Sequence, residues 1–292
     1  MSPQSRYYCA NGLRYHLWIW EPAQSTQSLG TVALGHGFLD IGWSWQRVAL
    51  LLAEAGYRVM AWDWRGHGKS DWVGAGGYYY FTDYIADLAA LMPQLDEEPL
   101  HLVGHSMGST ASAMYAGTHA AHIQSLVLIE GLGPFRRPTL MPATRVDRWL
   151  QGAAKARDAG HSSMPSIEAA YARLKKQHPF LDAQWGVQLA EQAVRSDERG
   201  GYVWRFDPLH KTLSPIAFSP ELFASLCTNI KVPTTAVFAE HGFRSEDEDQ
   251  RLSSIAQHRR SEIANAGHMI HWSHPHALAR CLLEHLRWAG TQ

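Results

Sequence analysis

The chain has 292 residues, of which 46% are hydrophobic and 18% charged, with a formal net charge of −1. That length fits one large α/β domain with room for an inserted subdomain, and the composition excludes a disordered chain. Near-neutral charge gives no sequence-wide pull toward nucleic acid or an anionic membrane, so neither is an expected partner.

Apolar runs alternate with amphipathic stretches through the first 130 residues. Residues 17–20 read as an early strand, and 31–34 as a short buried strand running into Gly35-His36-Gly37. Trp45, Val48, Leu52 and Ala55 recur at helical spacing, with Gly56 as the C-cap. The strand at 57–62 ends in Asp63-Trp64-Arg65-Gly66-His67-Gly68. Phe81, Tyr84, Ile85, Leu88, Met92 and Leu95 mark one face of the next helix, with Thr82 placed to cap it. A strand at 100–103 runs straight into Gly104-His105-Ser106-Met107-Gly108, followed by a helix of small residues to 119 and a strand at 125–129. Such alternation with short turns predicts an α/β fold, a mostly parallel central sheet with helices on both faces.

From 134 to 229 the pattern changes. The segments 145–159, 166–176 and 183–194 look helical with no strand between them. Such a length cannot be a structureless loop in a compact domain, so 134–229 is expected to be an inserted helical cap, and 1–133 with 230–292 the core domain. The strand pattern restarts at 232–238, a last strand lies at 261–264, and 275–288 is a terminal amphipathic helix.

Gly104-x-Ser106-x-Gly108 carries the chemistry. A sharp strand-to-helix turn lifts a serine Oγ clear of the sheet, and flanking glycines let neighbouring backbones approach. Met107 N–H, at the start of the helix, can help hold an oxyanion there. The chain resembles the α/β-hydrolase superfamily, with a serine nucleophile and in its serine-hydrolase-like branch, through four motifs in order. They are His36-Gly37-Phe38, Asp63-x-Arg65-Gly66-His67-Gly68-x-Ser70, Gly104-His105-Ser106-Met107-Gly108, and Gly267-His268 within a GHxxHxxxP run.

The resemblance implies Ser106 as nucleophile, His268 as its general base, and the main-chain N–H of Phe38 as the second oxyanion donor beside Met107. His36 reads as a turn-supporting residue, and the Asp63–Ser70 motif as a loop held by its own hydrogen bonds. His268, His271, His274 and His276 crowd one segment, but no acidic or Cys partner has ligand spacing, so no metal and no cofactor are expected.

The third triad member departs from the family pattern. The resemblance puts the acid in a G-x-x-D-like stretch after the post-cap strand, and Gly242 stands where that Asp would be. Glu130, ending the strand at 125–129, keeps the Ser…acid…His order and is the expected acid. Glu240 and the run Glu246-Asp247-Glu248-Asp249 remain open as alternatives.

Trp43, Trp45, Trp72, Trp149, Tyr171, Trp185, Tyr202, Trp204 and Phe206 are candidates for either cap core or an apolar pocket wall, and Arg136 and Arg137 are expected on the solvated surface, with binding of a substrate carboxylate as the other reading. The expected function is hydrolysis of an ester or thioester of a small, partly apolar substrate through an acyl-serine. Carbon–carbon hydrolysis of a vinylogous diketone, or a ligand-binding receptor on the same fold, stand as alternatives. Three scattered cysteines (Cys9, Cys227, Cys281), no signal-like start and no membrane-length apolar run point to the cytoplasm, with a small molecule as partner and a homodimer left open.

Overall fold

A computed structural model describes residues 2–22, 28–95, 99–133 and 141–292. In chain order it opens with β1 (Gln4–Ala10), β2 (Leu13–Trp20), β3 (Thr31–Gly35), α1 (Gln46–Glu54) and β4 (Arg58–Trp62). Then follow α2 (Phe81–Leu91), β5 (Leu100–His105), α3 (Met107–His119) and β6 (Ser125–Ile129). After a further segment come β9 (Thr234–His241), α8 (Glu248–Ser253), β10 (His258–Gly267), α9 (Ile270–Ser273) and α10 (Pro275–Ala289). The eight core strands lie in the order β1-β2-β4-β3-β5-β6-β9-β10. β1 and β2 run antiparallel at one edge, and every pair from β4 to β10 is parallel.

The central strands read as continuous apolar runs because both faces are covered. Leu102, Leu126 and Leu128 pack with α2 and α3 on one face, while Val103, Val127 and Ile129 pack with α1 and α10 on the other. The first antiparallel strand was not expected. Its residues are mostly exposed, but Asn11-Gly12 turns with φ of 50° and 76°, the two-residue hairpin conformation that positive φ demands. Thr82 does not cap α2. The N-cap position is Tyr80, whose N–H donates to the Asp83 carboxylate at 3.0 Å.

Between β6 and β9 lie α4 (Pro142–Ala159), α5 (Ile167–Gln177), α6 (Ala183–Ala193), β7 (Val194–Ser196), β8 (Tyr202–Trp204) and α7 (Pro220–Thr228). β7 and β8 pair as a short antiparallel hairpin, which corrects the reading of this segment as strand-free. Three-residue strands are too short to show a period of two, so helical continuity masked them. α6 seats the segment on the sheet side: Trp185 stacks on Trp43 with ring centroids 4.7 Å apart and planes at 12°. Among the described residues no helix is long and apolar enough to cross a membrane.

Candidate active site

β5 delivers Ser106 to the sheet's carboxyl edge, and α3 begins at the next residue. Ser106 sits at φ +53°, a left-handed conformation costly for a side-chain-bearing residue and characteristic of a functional turn. Its N–H donates to the Ile129 carbonyl at 2.8 Å, so the elbow is pinned to the neighbouring strand. A Cβ on Gly108 would lie 2.5 Å from the His36 carbonyl oxygen. Only glycine lets α3 approach the loop that carries Phe38.

His268 follows β10, and its Nε2 lies 3.0 Å from Ser106 Oγ. Its Nδ1 lies 3.0 Å from Glu130 Oε2. With Nδ1–H donating to the carboxylate, Nε2 is left to accept the serine proton. Glu130 is buried, and Ala239 N–H donates to its Oε1 at 2.7 Å and Phe243 N–H to its Oε2 at 3.1 Å. Among the expected alternatives, Glu240, Asp247 and Glu248 have other partners. Glu240 accepts from Asn265 N–H at 2.7 Å, Asp247 pairs with Arg251, and Glu248 pairs with Arg244 and Arg260.

The missing aspartate has a steric explanation. A Cβ on Gly242 would lie 2.2 Å from Glu130 Oε2, so the carboxylate from β6 already occupies the space that a side chain at 242 would enter.

The loops around the serine are held by their own polar groups. His36 donates from Nδ1 to the Gly37 carbonyl at 2.7 Å and accepts at Nε2 from Trp64 N–H at 3.0 Å, and burial holds its pKa below the ordinary imidazole value. Asp63 accepts from Gly42 N–H at 2.7 Å and Lys69 N–H at 2.9 Å, while Arg65 is paired with Asp87 and Asp83. Leu39, at φ +61°, donates its N–H to His67 Nε2 at 3.3 Å.

A buried polar group behind His268 went unread in the sequence. His105 Nε2–H donates to the His268 carbonyl at 2.9 Å, and His271 Nε2–H donates to Asp40 Oδ2 at 3.1 Å, where Ser44 also donates at 2.8 Å. Burial, with His271 close by, keeps His105 well below its ordinary pKa, so it stays a neutral donor. Asp40, His105 and His271 offer ligand-type atoms within 4.8 Å of one another, a grouping with the chemistry to hold a divalent ion. Asp40 and His271 are 231 positions apart, which defeats any search by spacing.

Ser106, Glu130 and His268 open on a cavity of about 1370 Å³, also lined by Gly37, Phe38 and Met107. Trp204 and Phe206 line it as expected of pocket candidates, whereas Trp43, Trp45 and Trp185 are buried in the core, Trp149, Tyr171 and Tyr202 pack against other cores, and Trp72 lines a separate depression. The run Tyr78-Tyr79-Tyr80-Phe81 lines the cavity and was not anticipated. Arg136 and Arg137 fall outside the described residues.

The family model for the alpha/beta hydrolase fold matches residues 30–275. The chain belongs to the α/β-hydrolase fold family. Among its relatives, a Synechocystis sp. protein provisionally named a non-heme chloroperoxidase is 28% identical, over 88% of this chain and 91% of that one. A serine hydrolase-like protein of Dictyostelium discoideum is 24% identical, over 91% of this chain and 76% of that one. The solved thioesterase domain from the curacin biosynthetic pathway superposes with a TM-score of 0.86 at 27% identity, covering 97% of this chain and all of that chain.

Proposed function

We propose that this α/β hydrolase is a serine hydrolase that cleaves an ester or thioester through an acyl-serine. The observation that carries the reading is the continuous relay Glu130–His268–Ser106, with both links at 3.0 Å, at the floor of a cavity. Ser106 Oγ attacks the acyl carbonyl while its proton passes to His268 Nε2. The developing oxyanion is held by the main-chain N–H groups of Phe38 and Met107, neither of which has a hydrogen-bond partner among the described residues. Collapse breaks the bond to the alcohol or thiol, which leaves with the proton from Nε2. Water, deprotonated by the same imidazole, then attacks the acyl-serine, and breaking the bond to Oγ returns the free serine. Glu130 holds His268 in the tautomer that both halves need and stabilises the imidazolium between them.

Residues 134–229 act as a cap over this floor, and 1–133 with 230–292 as the hydrolase core. The apolar lining supports a substrate with a hydrophobic acyl or alcohol part. The relatives named serine hydrolase-like and the thioesterase domain support acyl transfer to water. A fluorophosphonate should label Ser106 and no other residue, and p-nitrophenyl ester turnover should vanish in Ser106→Ala and His268→Ala. A folded protein that neither labels nor turns over esters overturns the reading.

A further inference from the structure

The exposed rim of the cavity carries positive charge that no acid among the described residues pairs with. Arg173 and Lys176, three residues apart on α5 and so on one helical face, line it together with Lys211 of the turn Pro208–Lys211. None of the three has an ion pair among the described residues. Lys211 Nζ lies 4.9 Å over the Phe206 ring, and burial together with the nearby Arg173 guanidinium lowers its pKa. A fourth cation in the wall, Arg145, donates to the Ser214 carbonyl at 2.9 Å. The acids that line the cavity are Asp40, Glu130 and Glu248, and each is already committed: to Ser44 and His271, to His268 and two N–H groups, and to Arg244 and Arg260. The chain as a whole has a net charge of −1, so this concentration of cations is local and not a reflection of composition.

Like charges gathered at the rim of a cleft repel one another, screened in part by solvent and salt, and draw anions toward its mouth. Other lining residues are apolar, among them Phe81, Met114, Phe218 and Leu222. At about 1370 Å³ the cavity exceeds the roughly 300–1,000 Å³ of ordinary small-molecule sites, leaving room for both halves of an elongated amphiphile.

We infer that Arg173, Lys176 and Lys211 form an anion subsite that holds a carboxylate or phosphate of the substrate remote from the scissile bond, with the apolar wall taking the chain. This rests on the acyl-serine reading for what is cleaved, but the subsite itself is a binding property and is tested as one. Two sources of the anion fit: a phosphate-bearing thiol as the leaving group, or a carboxylate at the far end of the acyl chain.

The test compares three probes of matched chain length: octanoyl-coenzyme A, the mono-p-nitrophenyl ester of suberic acid, and neutral p-nitrophenyl octanoate. Calorimetry on Ser106→Ala reports binding without cleavage, with and without the added triple change Arg173→Glu, Lys176→Glu, Lys211→Glu. A triple Gln variant guards against a folding defect in the Glu form, both being checked by circular dichroism and thermal unfolding. In the parent at least one anionic probe should bind about tenfold or more tighter than the neutral ester, and that margin should shrink as NaCl rises from 50 to 500 mM. Charge reversal should abolish the margin, and the Gln form should reduce it. With Ser106 restored, the anionic-to-neutral ratio of kcat/KM should fall at least tenfold in the triple Glu variant, mainly through KM. Which probe loses most identifies the source of the anion. Equal affinity for charged and neutral probes in the parent, or a margin untouched by charge reversal, overturns the subsite. Failure of Ser106 to label would sink the acyl-serine reading and leave the binding result standing.

Discussion

The floor and the roof of the cavity are built on different principles. On the floor, three residues from three strand ends meet within hydrogen-bond distance, and Glu130 is fixed by two N–H groups besides His268. In the wall formed between β6 and β9, long side chains such as Arg173, Lys176 and Lys211 face the same space without ion-pair partners among the described residues. A sheet edge can hold atoms to a few tenths of an ångström because each strand is pinned by its neighbours. A helical segment seated through contacts such as Trp43–Trp185 controls shape and charge more than reacting geometry. Changes on the floor should therefore alter kcat, and changes in the roof should alter which substrate is preferred.

The sharpest test of the floor is Glu130→Gln. It preserves size and removes the charge that, on the acyl-serine proposal, stabilises imidazolium, and triad acids elsewhere set the expected fall in kcat at about 10⁴-fold. A fall of less than about tenfold, measured on a p-nitrophenyl ester, would show that Glu130 does not serve as the triad acid.

Gly242→Ala should come next. Its Cβ would meet Glu130 Oε2 at 2.2 Å and push the carboxylate off His268, with kcat expected to drop about 10³-fold while KM changes little. The same geometry suggests a rescue. Gly242→Asp combined with Glu130→Ala delivers a carboxylate from the other strand into vacated space, and should recover at least tenfold over Glu130→Ala alone. No recovery would mean that the two positions do not share one volume.

How much of this was legible follows the same division. Ser106 and His268 could be read because their motifs are local: a strand, a turn with glycines, a helix. Glu130 could be named as the expected acid, but Glu240 and the run at 246–249 stayed open beside it, since setting them aside depends on β6 lying beside β9 and on the space over Gly242. The polar group behind His268 was invisible for a related reason: its members lie at positions 40, 105 and 271 and meet only through the sheet. In the roof, helices α4, α5 and α6 were anticipated from periodicity, but the hairpin between Val194 and Trp204 was too short to register. The Asn11-Gly12 turn was a readable hairpin signal, missed because the preceding strand is polar and exposed.

Acid should weaken the two regions together. Burial holds His101 down to about 4, and His210 and His285 to about 3, so all three fold neutral. An unfolded histidine binds its proton near pH 6.5, so between that value and the folded pKa the unfolded chain holds more protons. Stability is therefore complete above about pH 6.5 and falls as the pH drops, by about 1 kcal/mol per histidine between pH 6.5 and 5.5. Urea unfolding at the two pH values checks this, and His101→Gln should remove about 1 kcal/mol of the pH-dependent loss. His210 belongs to the roof and donates from Nε2 to the Arg65 carbonyl at 3.2 Å. Loss of ester selectivity before loss of the global fold, on acidification, would separate the roof from the floor.

The smallest effect, and the one most specific to the roof, is expected from Trp204→Ala. Trp204 lines the cavity beside Phe206, its ring stacked on that of Phe206 at 6.2 Å, and it makes no bond to the triad. Truncation enlarges the apolar wall without touching Ser106, His268 or Glu130. Each methylene that a hydrophobic pocket accepts or rejects is worth only about 1–3 kcal/mol, and a partly open wall lies at the bottom of that range. Across p-nitrophenyl esters from acetate to decanoate, the optimum should shift toward longer chains by less than about tenfold in kcat/KM, with kcat on acetate within about twofold. A fall in kcat common to all chain lengths would place Trp204 among the residues that hold the reacting geometry, and the division between floor and roof would fail at that point.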